Sequence, residues 1–179
     1  MKKVLIVIGA ILLIFVAVYA FNGGFSKADV RMQHQNEMLI VGIDHKGAYK
    51  NIGGAFDKMT KIKETTKLDS AIFVGVYFDD PKTVAEDSLK SFAGFTVPNM
   101  ETGTAICKSN PGCYILPIEE GEAYVCDLKT SGTLSMIIAA MKAYPALGEA
   151  AEGLSSSKKV THVYEMYLDG FTRFVMQFE

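Results

Sequence analysis

The side chains best suited to chemistry in this sequence are one carboxylate and two phenols, at matched positions of two similar segments. The segments are FVGVYFD, residues 73–79, and VYEMYLD, residues 163–169. Because alternate side chains of a β-strand share a face, Tyr77, Glu165 and Tyr167 are predicted to line one cleft, with Phe73 beside them and Gly75 leaving room. The opposite face of the first strand is predicted to be covered by a helix, because it is apolar throughout: Ile72, Val74, Val76 and Phe78. A buried carboxylate between aromatic walls suits a flat, lipophilic or cationic ligand, and desolvation would raise its pKa.

Further candidates carry weaker signals. Tyr49 and Tyr114 are added as ligand-binding residues, although tyrosines at such spacing usually belong to the core or its rim. His45 precedes a predicted helix and could cap it or contact a ligand. Asp79 and Asp80 stand before a proline, which favours a turn over a metal site.

Glu165 has a purely structural alternative, and the motifs exclude several other classes of site. A glutamate in an alternating strand is more often solvent-facing, so Glu165 has a plain structural alternative. The sequence shows no catalytic triad context, no phosphate-binding glycine loop and no zinc-ligand spacing. We therefore predict no metal and no cofactor.

An apolar run over residues 4–21 is the clearest local feature. A helix of that length spans about 27 Å, close to a bilayer core. Lys2 and Lys3 precede it, which favours the N-terminus inside and the domain outside, although two basic residues after the run weaken this orientation. An uncleaved anchor is favoured by length; the alternative is a secretory signal cleaved near residues 18–20, which would leave a secreted or periplasmic protein.

Composition fits one globular domain behind this segment. The 179 residues carry a formal net charge of -2. Without Lys2 and Lys3, 16 basic and 20 acidic residues remain, a charge of -4 without a basic cluster. Nucleic-acid binding is therefore not expected. We divide the chain into a membrane segment (1–25), a linker (26–37) and one domain (38–179).

Three cysteines leave two alternatives open. Cys107 and Cys113 flank a turn-forming KSNPG stretch and could close a small disulfide loop in an oxidising compartment. Alternatively, all three are unrelated thiols, with Cys126 buried in a strand.

The predicted elements form two similar halves. Amphipathic helices are expected from Tyr49 to about Ile62 and over 133–152, the second interrupted at Pro145. The apolar face of the second helix is predicted to consist of Ile137, Ala140, Met141, Tyr144 and Leu147. Strands are expected at 38–43, 71–78, 92–97, 160–168 and 171–178. Residues 100–111 are predicted as a loop, and 113–117 with 123–129 as a hairpin. This pattern predicts an α+β fold of two β-α-β-β units about a pseudo-two-fold axis, an antiparallel sheet with two helices on one face.

Four motifs resemble one family. HKGAY at 45–49, GVYFDDP at 75–81, LKSFAG at 89–94 and VYEMY at 163–167 occur in the order found in GyrI-like effector-binding domains. The resemblance spans residues 38–178. It implies a small-molecule-binding domain of GyrI-like or SOUL-like fold. The added membrane segment is similar to that of an anchored eukaryotic member, an ER-phagy receptor. The sequence ends at Glu179 without that receptor's long tail, so we do not expect its role here.

The resemblance also implies what the cleft could do. The matching glutamate of multidrug sensors contacts cationic ligands, which makes a non-catalytic, anchored or exported binding module our main expectation. In other members it resembles the acid/base residue of a hydrolase of strained electrophiles, with Glu165 and Tyr77 in those roles here. A third alternative is a membrane-associated interaction protein with a vestigial cleft.

Overall fold

The computed structural model describes residues 2–155 and 158–179. Its elements, in chain order, are α1 (Lys2–Phe21), β1 (Val30–Gln35), β2 (Met38–Lys46), α2 (Gly53–Thr66), β3 (Phe73–Tyr77), β4 (Lys90–Val97), α3 (Met100–Lys108), β5 (Tyr114–Ile118), β6 (Gly121–Lys129), α4 (Thr133–Glu152), β7 (Val160–Leu168) and β8 (Phe171–Phe178). Short 3-10 turns occur at Tyr49–Asn51 and Glu86–Ser88.

The eight strands form one antiparallel sheet that repeats the same unit twice. The strand order is β1-β6-β8-β7-β3-β4-β2-β5. The units β2-α2-β3-β4 and β6-α4-β7-β8 therefore occupy equivalent positions on the two sides of the β3–β7 junction. This confirms the predicted duplicated α+β fold, and the pseudo-two-fold axis passes between β3 and β7.

The sheet is strongly curved. Strands β5 and β6 lie near opposite ends of the strand order, yet only Glu119 and Glu120 connect them. Ile118 of β5 and Ala123 of β6 pack in one buried cluster with core residues of the central strands. The predicted hairpin between these two segments is therefore wrong, because β5 pairs with β2, and β6 pairs with β1 and β8.

The helices cover the face opposite to the one expected. Val74 and Val76, assigned to the helix-covered face, are fully buried in the core that the curved sheet forms against itself. Phe73 and Tyr77 instead point to the face on which α2 packs. Strand alternation fixed which residues share a face but not which face is covered, because both faces of these strands are apolar.

Two segments contain elements where none was expected. Within the predicted linker, Val30–Gln35 forms edge strand β1, paired with β6. The predicted loop at 100–111 contains α3, whose first turn is capped by the Asn99 side chain accepting a hydrogen bond from the Thr102 amide at 2.8 Å. A disulfide joins Cys107 at the end of α3 to Cys113, and Cys126 is a buried free thiol. Helix α3 packs on β2, β4 and β5 in the same cluster as α2, so in the described part of the chain three helices cover this face of the sheet, where two were expected.

Helix α4 runs without interruption through Pro145. Its buried residues are Ser135, Ala139, Ala143 and Leu147. Ile137 and Met141, predicted to line its packed face, are 52% and 72% exposed. The small residues face the sheet because they allow the helix to approach it closely.

Helix α1 has no buried residue. Among the described residues it is the one helix long and apolar enough to cross a membrane, and a signal sequence would have the same character. Its C-terminal loop is fastened to α4, because the Lys142 Nζ donates hydrogen bonds to the carbonyls of Gly23 at 2.8 Å and Gly24 at 3.1 Å.

Candidate functional site

A buried carboxylate lies at the centre of the helix-covered face. Glu165 is on β7, directly opposite Gly75 of β3, at the junction of the two repeated units. Glu165 is only 8% exposed to solvent. Burying a carboxylate is costly unless hydrogen bonds compensate, so its partners define the site.

Three phenols donate to this carboxylate. Tyr144 of α4 donates to Oε1 at 2.5 Å, and Tyr167 of β7 donates to Oε2 at 2.5 Å. Tyr77 of β3 also donates to Oε2, at 3.1 Å, and its hydroxyl lies 3.4 Å from that of Tyr167. The structure therefore brings Tyr77, Glu165 and Tyr167 together, as the strand alternation predicted.

Tyr144 belongs to this group and was missed by the sequence reasoning. It was assigned to the apolar face of α4 without a polar role. No local signal in the sequence identifies this role, because it depends on α4 covering the strand face that carries Glu165, which is the side that strand alternation does not predict.

Desolvation dominates the electrostatics of the group. Burial raises the pKa of the Glu165 carboxyl, and the hydrogen bonds from the three tyrosines oppose this shift only in part. Burial, and then the adjacent carboxylate, raise the pKa of Tyr77, Tyr144 and Tyr167 well above the usual phenol value. Within residues 2–155 and 158–179, no lysine, arginine or histidine forms an ion pair with Glu165.

Aromatic rings enclose the carboxylate. Tyr49 meets the Tyr77 ring edge-on with centroids 4.9 Å apart, and Phe56 of α2 meets Tyr167 edge-on at 5.2 Å. Phe73 lies next to Phe56, at 6.3 Å. A ligand that reaches Glu165 must therefore displace at least one ring.

Gly75 makes this packing possible. A Cβ at this position would lie 3.2 Å from the Tyr77 hydroxyl, 3.3 Å from the Phe56 ring and 3.4 Å from the Tyr167 hydroxyl. Any larger side chain would push the rings off the carboxylate. In the structure the space opposite Glu165 is occupied by the Tyr77 and Tyr167 hydroxyls and the Phe56 ring, and a ligand contact at Gly75 stays a prediction.

The remaining candidates have local roles. Tyr49 donates to the Asp79 carbonyl at 2.7 Å and accepts from the Asp79 amide at 3.0 Å, so it holds the turn after β3 as well as the Tyr77 ring. The His45 ring nitrogen lies 3.2 Å from the Ala48 carbonyl, at the start of the turn before α2.

Tyr114 lies apart from the site. It packs on Phe92 in the other face of the sheet and donates to Asp44 at 2.7 Å. No cluster of three or more metal-ligating side chains occurs in the part of the chain that the structure describes.

The sequence as a whole matches one protein family. The profile of the GyrI-like small-molecule-binding domain aligns with residues 28–172, which is most of the chain. The chain belongs to the GyrI-like family. The profile begins before β1, so the GyrI-like domain takes in this edge strand as well. No curated protein sequence matches the chain.

Solved structures show the same GyrI-like fold at low sequence identity. The C-terminal domain of EcmrR superposes with a TM-score of 0.61 at 13% identity, covering 85% of this chain and 98% of that domain. SAV2435 bound to tetraphenylphosphonium gives 0.58 at 12%, covering 84% and 94%. A hydrolase from Listeria innocua gives 0.56 at 15%, covering 86% and 93%. At these identities the likeness concerns the fold alone.

Proposed function

We propose that this GyrI-like domain binds a lipophilic cation at Glu165 without catalysis, and that α1 anchors it in a membrane with the domain on the side opposite the N-terminus. The observation that carries the binding proposal is the buried Glu165 carboxylate, which is hydrogen-bonded by three phenols and has no cationic partner among the described residues. The anchor rests on the exposed apolar helix α1.

The energetics of the site favour a large, weakly hydrated cation. Such a ligand loses little hydration free energy on entering the cleft, and it restores an ionic partner to a desolvated carboxylate. Each surrounding ring adds cation–π attraction of about 0.5–2 kcal/mol. SAV2435, which shares the fold, binds a cation of this kind.

Tyr144 is the phenol that we expect to move. Tyr77 and Tyr167 are attached to the two central strands, whereas Tyr144 reaches Glu165 from a helix that lies over the sheet. A rotation of its side chain would expose the carboxylate while the two strand phenols stay bonded to it.

The proposal is tested with two ions of the same shape and opposite charge. We expect tetraphenylphosphonium to bind the full-length protein in detergent and tetraphenylborate not to bind, as measured by calorimetry. Glu165→Gln should weaken the phosphonium affinity at least about tenfold, or 1.4 kcal/mol, whereas Glu149→Gln on exposed α4 surface should not.

The pH dependence gives an independent check. Because the pKa of Glu165 is raised, lowering the pH protonates this carboxyl earlier than an ordinary glutamate, and affinity for the cation should fall. Equal binding of both ions, or an affinity insensitive to Glu165→Gln, would refute a carboxylate-based cation site.

A hydrolase of strained electrophiles is the second candidate, favoured by the direct hydrogen bond between Tyr77 and Glu165 and by the hydrolase among the similar folds. Glu165 would take a proton from the attacking water, and Tyr77 would donate its proton to the oxygen released when the ring opens. Turnover of an aryl epoxide that is lost in both Glu165→Gln and Tyr77→Phe would establish this function; absence of turnover leaves the binding module.

A further inference from the structure

Helix α4 carries an exposed apolar stripe on its outer side. Its members fall on one face because they are spaced three or four residues apart. They are Leu134 (47% exposed), Ile137 (52%), Met141 (72%) and Pro145 (exposed). This α4 stripe extends along about 16 Å of the helix, and no charged residue interrupts it.

The fold itself does not require an apolar surface here. Helix α2 holds the equivalent place in the first repeat, and its outer side is charged. The exposed residues there are Asp57, Lys58, Lys61 and Glu64. The two helices pack on the sheet in equivalent positions, but the outer surface of α2 is charged and that of α4 is apolar. This difference indicates that the outer surface of α4 faces something other than water.

The middle of α4 is tied to the loop that follows α1. Lys142, which follows Met141, donates to the carbonyls of Gly23 and Gly24 and to Ser26 Oγ at 3.1 Å, so the middle of α4 is tied to the loop that leaves α1. In that region Tyr19 and Phe25 meet edge-on at 5.3 Å, and Phe25 is 71% exposed. Aromatic residues at the end of an apolar helix are typical of the membrane–water interface.

We propose that the α4 stripe lies on the lipid surface of the membrane that α1 crosses. This inference rests on the proposed anchoring by α1. The occupant is lipid and not a second protein, because Lys142 ties α4 to the loop that leaves α1, and a bilayer spanned by α1 would end close to that loop. An amphipathic helix bound in this way buries its apolar face about 5–10 Å into the interface.

The contact has a consequence for the site. Tyr144, which covers Glu165, is three residues from Met141 on the same helix. Lipophilic cations concentrate in the interfacial layer of a membrane, and docking of α4 would place the movable wall of the cleft in that layer.

The chain contains no tryptophan, so single-tryptophan variants report depth without background. The full-length protein is reconstituted at low density into phosphatidylcholine vesicles with or without bromine on the acyl chains. The probes are Met141→Trp and Ile137→Trp on the α4 stripe, Lys61→Trp on α2 as the matched surface control, and Ile11→Trp in the middle of α1.

We expect brominated lipid to quench the two α4 probes by roughly two-fold, as for side chains at the headgroup–acyl boundary. Ile11→Trp should be quenched more, and Lys61→Trp hardly at all. Quenching of Ile11→Trp without the α4 probes overturns lipid docking and leaves the anchor standing. A blue-shifted but unquenched Met141→Trp means that protein covers the stripe, which also overturns it. An unquenched Ile11→Trp removes the anchor and the docking proposal with it; the cation site, measured in detergent, is unaffected.

Discussion

Tyr167→Phe should destabilise the protein by removing one hydrogen bond to a buried charge. The Tyr167 hydroxyl donates to Glu165 at 2.5 Å, and the carboxylate is only 8% exposed. A hydrogen bond to a charged group contributes about 1.5–3 kcal/mol. For a domain of this size that loss lowers the unfolding midpoint by about 3–12 °C.

Tyr164→Phe is the matched control. Tyr164 precedes Glu165 on β7 but points to the other face, is 1% exposed, and among the described residues its hydroxyl has no hydrogen-bond partner. Its removal should be neutral or slightly stabilising, because a buried polar group without a partner is itself unfavourable. Thermal unfolding of both variants beside the wild type isolates the contribution of the charge.

The cost of Tyr167→Phe should depend on pH. Burial raises the folded-state pKa of Glu165, so the ionised carboxylate opposes folding at pH above that pKa, and this penalty disappears as the pH falls below the unfolded pKa. Removing a donor raises the folded pKa further. The difference between Tyr167→Phe and wild type should therefore be largest at neutral pH and shrink on acidification. A cost no larger than that of Tyr164→Phe, or one constant with pH, would refute the assigned network.

Two other perturbations test separate parts of the structure. Gly75→Val places a Cβ 3.2–3.4 Å from the Tyr77 and Tyr167 hydroxyls and the Phe56 ring. We expect the free energy of unfolding, measured with denaturant, to fall by about 1–3 kcal/mol, and cation binding to weaken. An unchanged affinity would show that the ligand does not approach Gly75. Reducing the Cys107–Cys113 disulfide, which closes a loop with a sequence separation of 6, should lower the free energy of unfolding by about 2 kcal/mol, and a midpoint unaffected by reductant would contradict a structural role.

The repeat and the composition of the site could be predicted from the sequence because both depend on local periodicity. The matched FVGVYFD and VYEMYLD segments and the period-two alternation placed Tyr77, Glu165 and Tyr167 on one face. What local periodicity cannot supply is the side from which the helices pack. Val74 and Val76 are as apolar as a helix-covered face requires, but the curvature of the sheet directs them inward against other strands.

The predicted pairing of β5 with β6 was wrong for the same reason, since it too depends on the curvature of the sheet. Two strands separated only by Glu119 and Glu120 are typical of a hairpin. In the structure the curved sheet instead places β5 beside β2, where Ile118 pairs with Met38. Helix α3 was missed because it is short, yet Asn99 before Glu101 is a recognisable N-terminal signal.

The duplicated fold also explains why the site holds a single charge. Antiparallel strands β3 and β7 meet at the pseudo-two-fold axis, where Gly75 pairs directly with Glu165. Two carboxylates in this register would lie side by side in a desolvated space, and their repulsion would keep one of them protonated. With glycine in one half and glutamate in the other, the same position supplies the charge from one repeat and the room for its phenol donors from the other. The two-fold arrangement of the fold thus brings the matched positions 75 and 165 together, and the difference between glycine and glutamate leaves one enclosed carboxylate at the junction of the repeats.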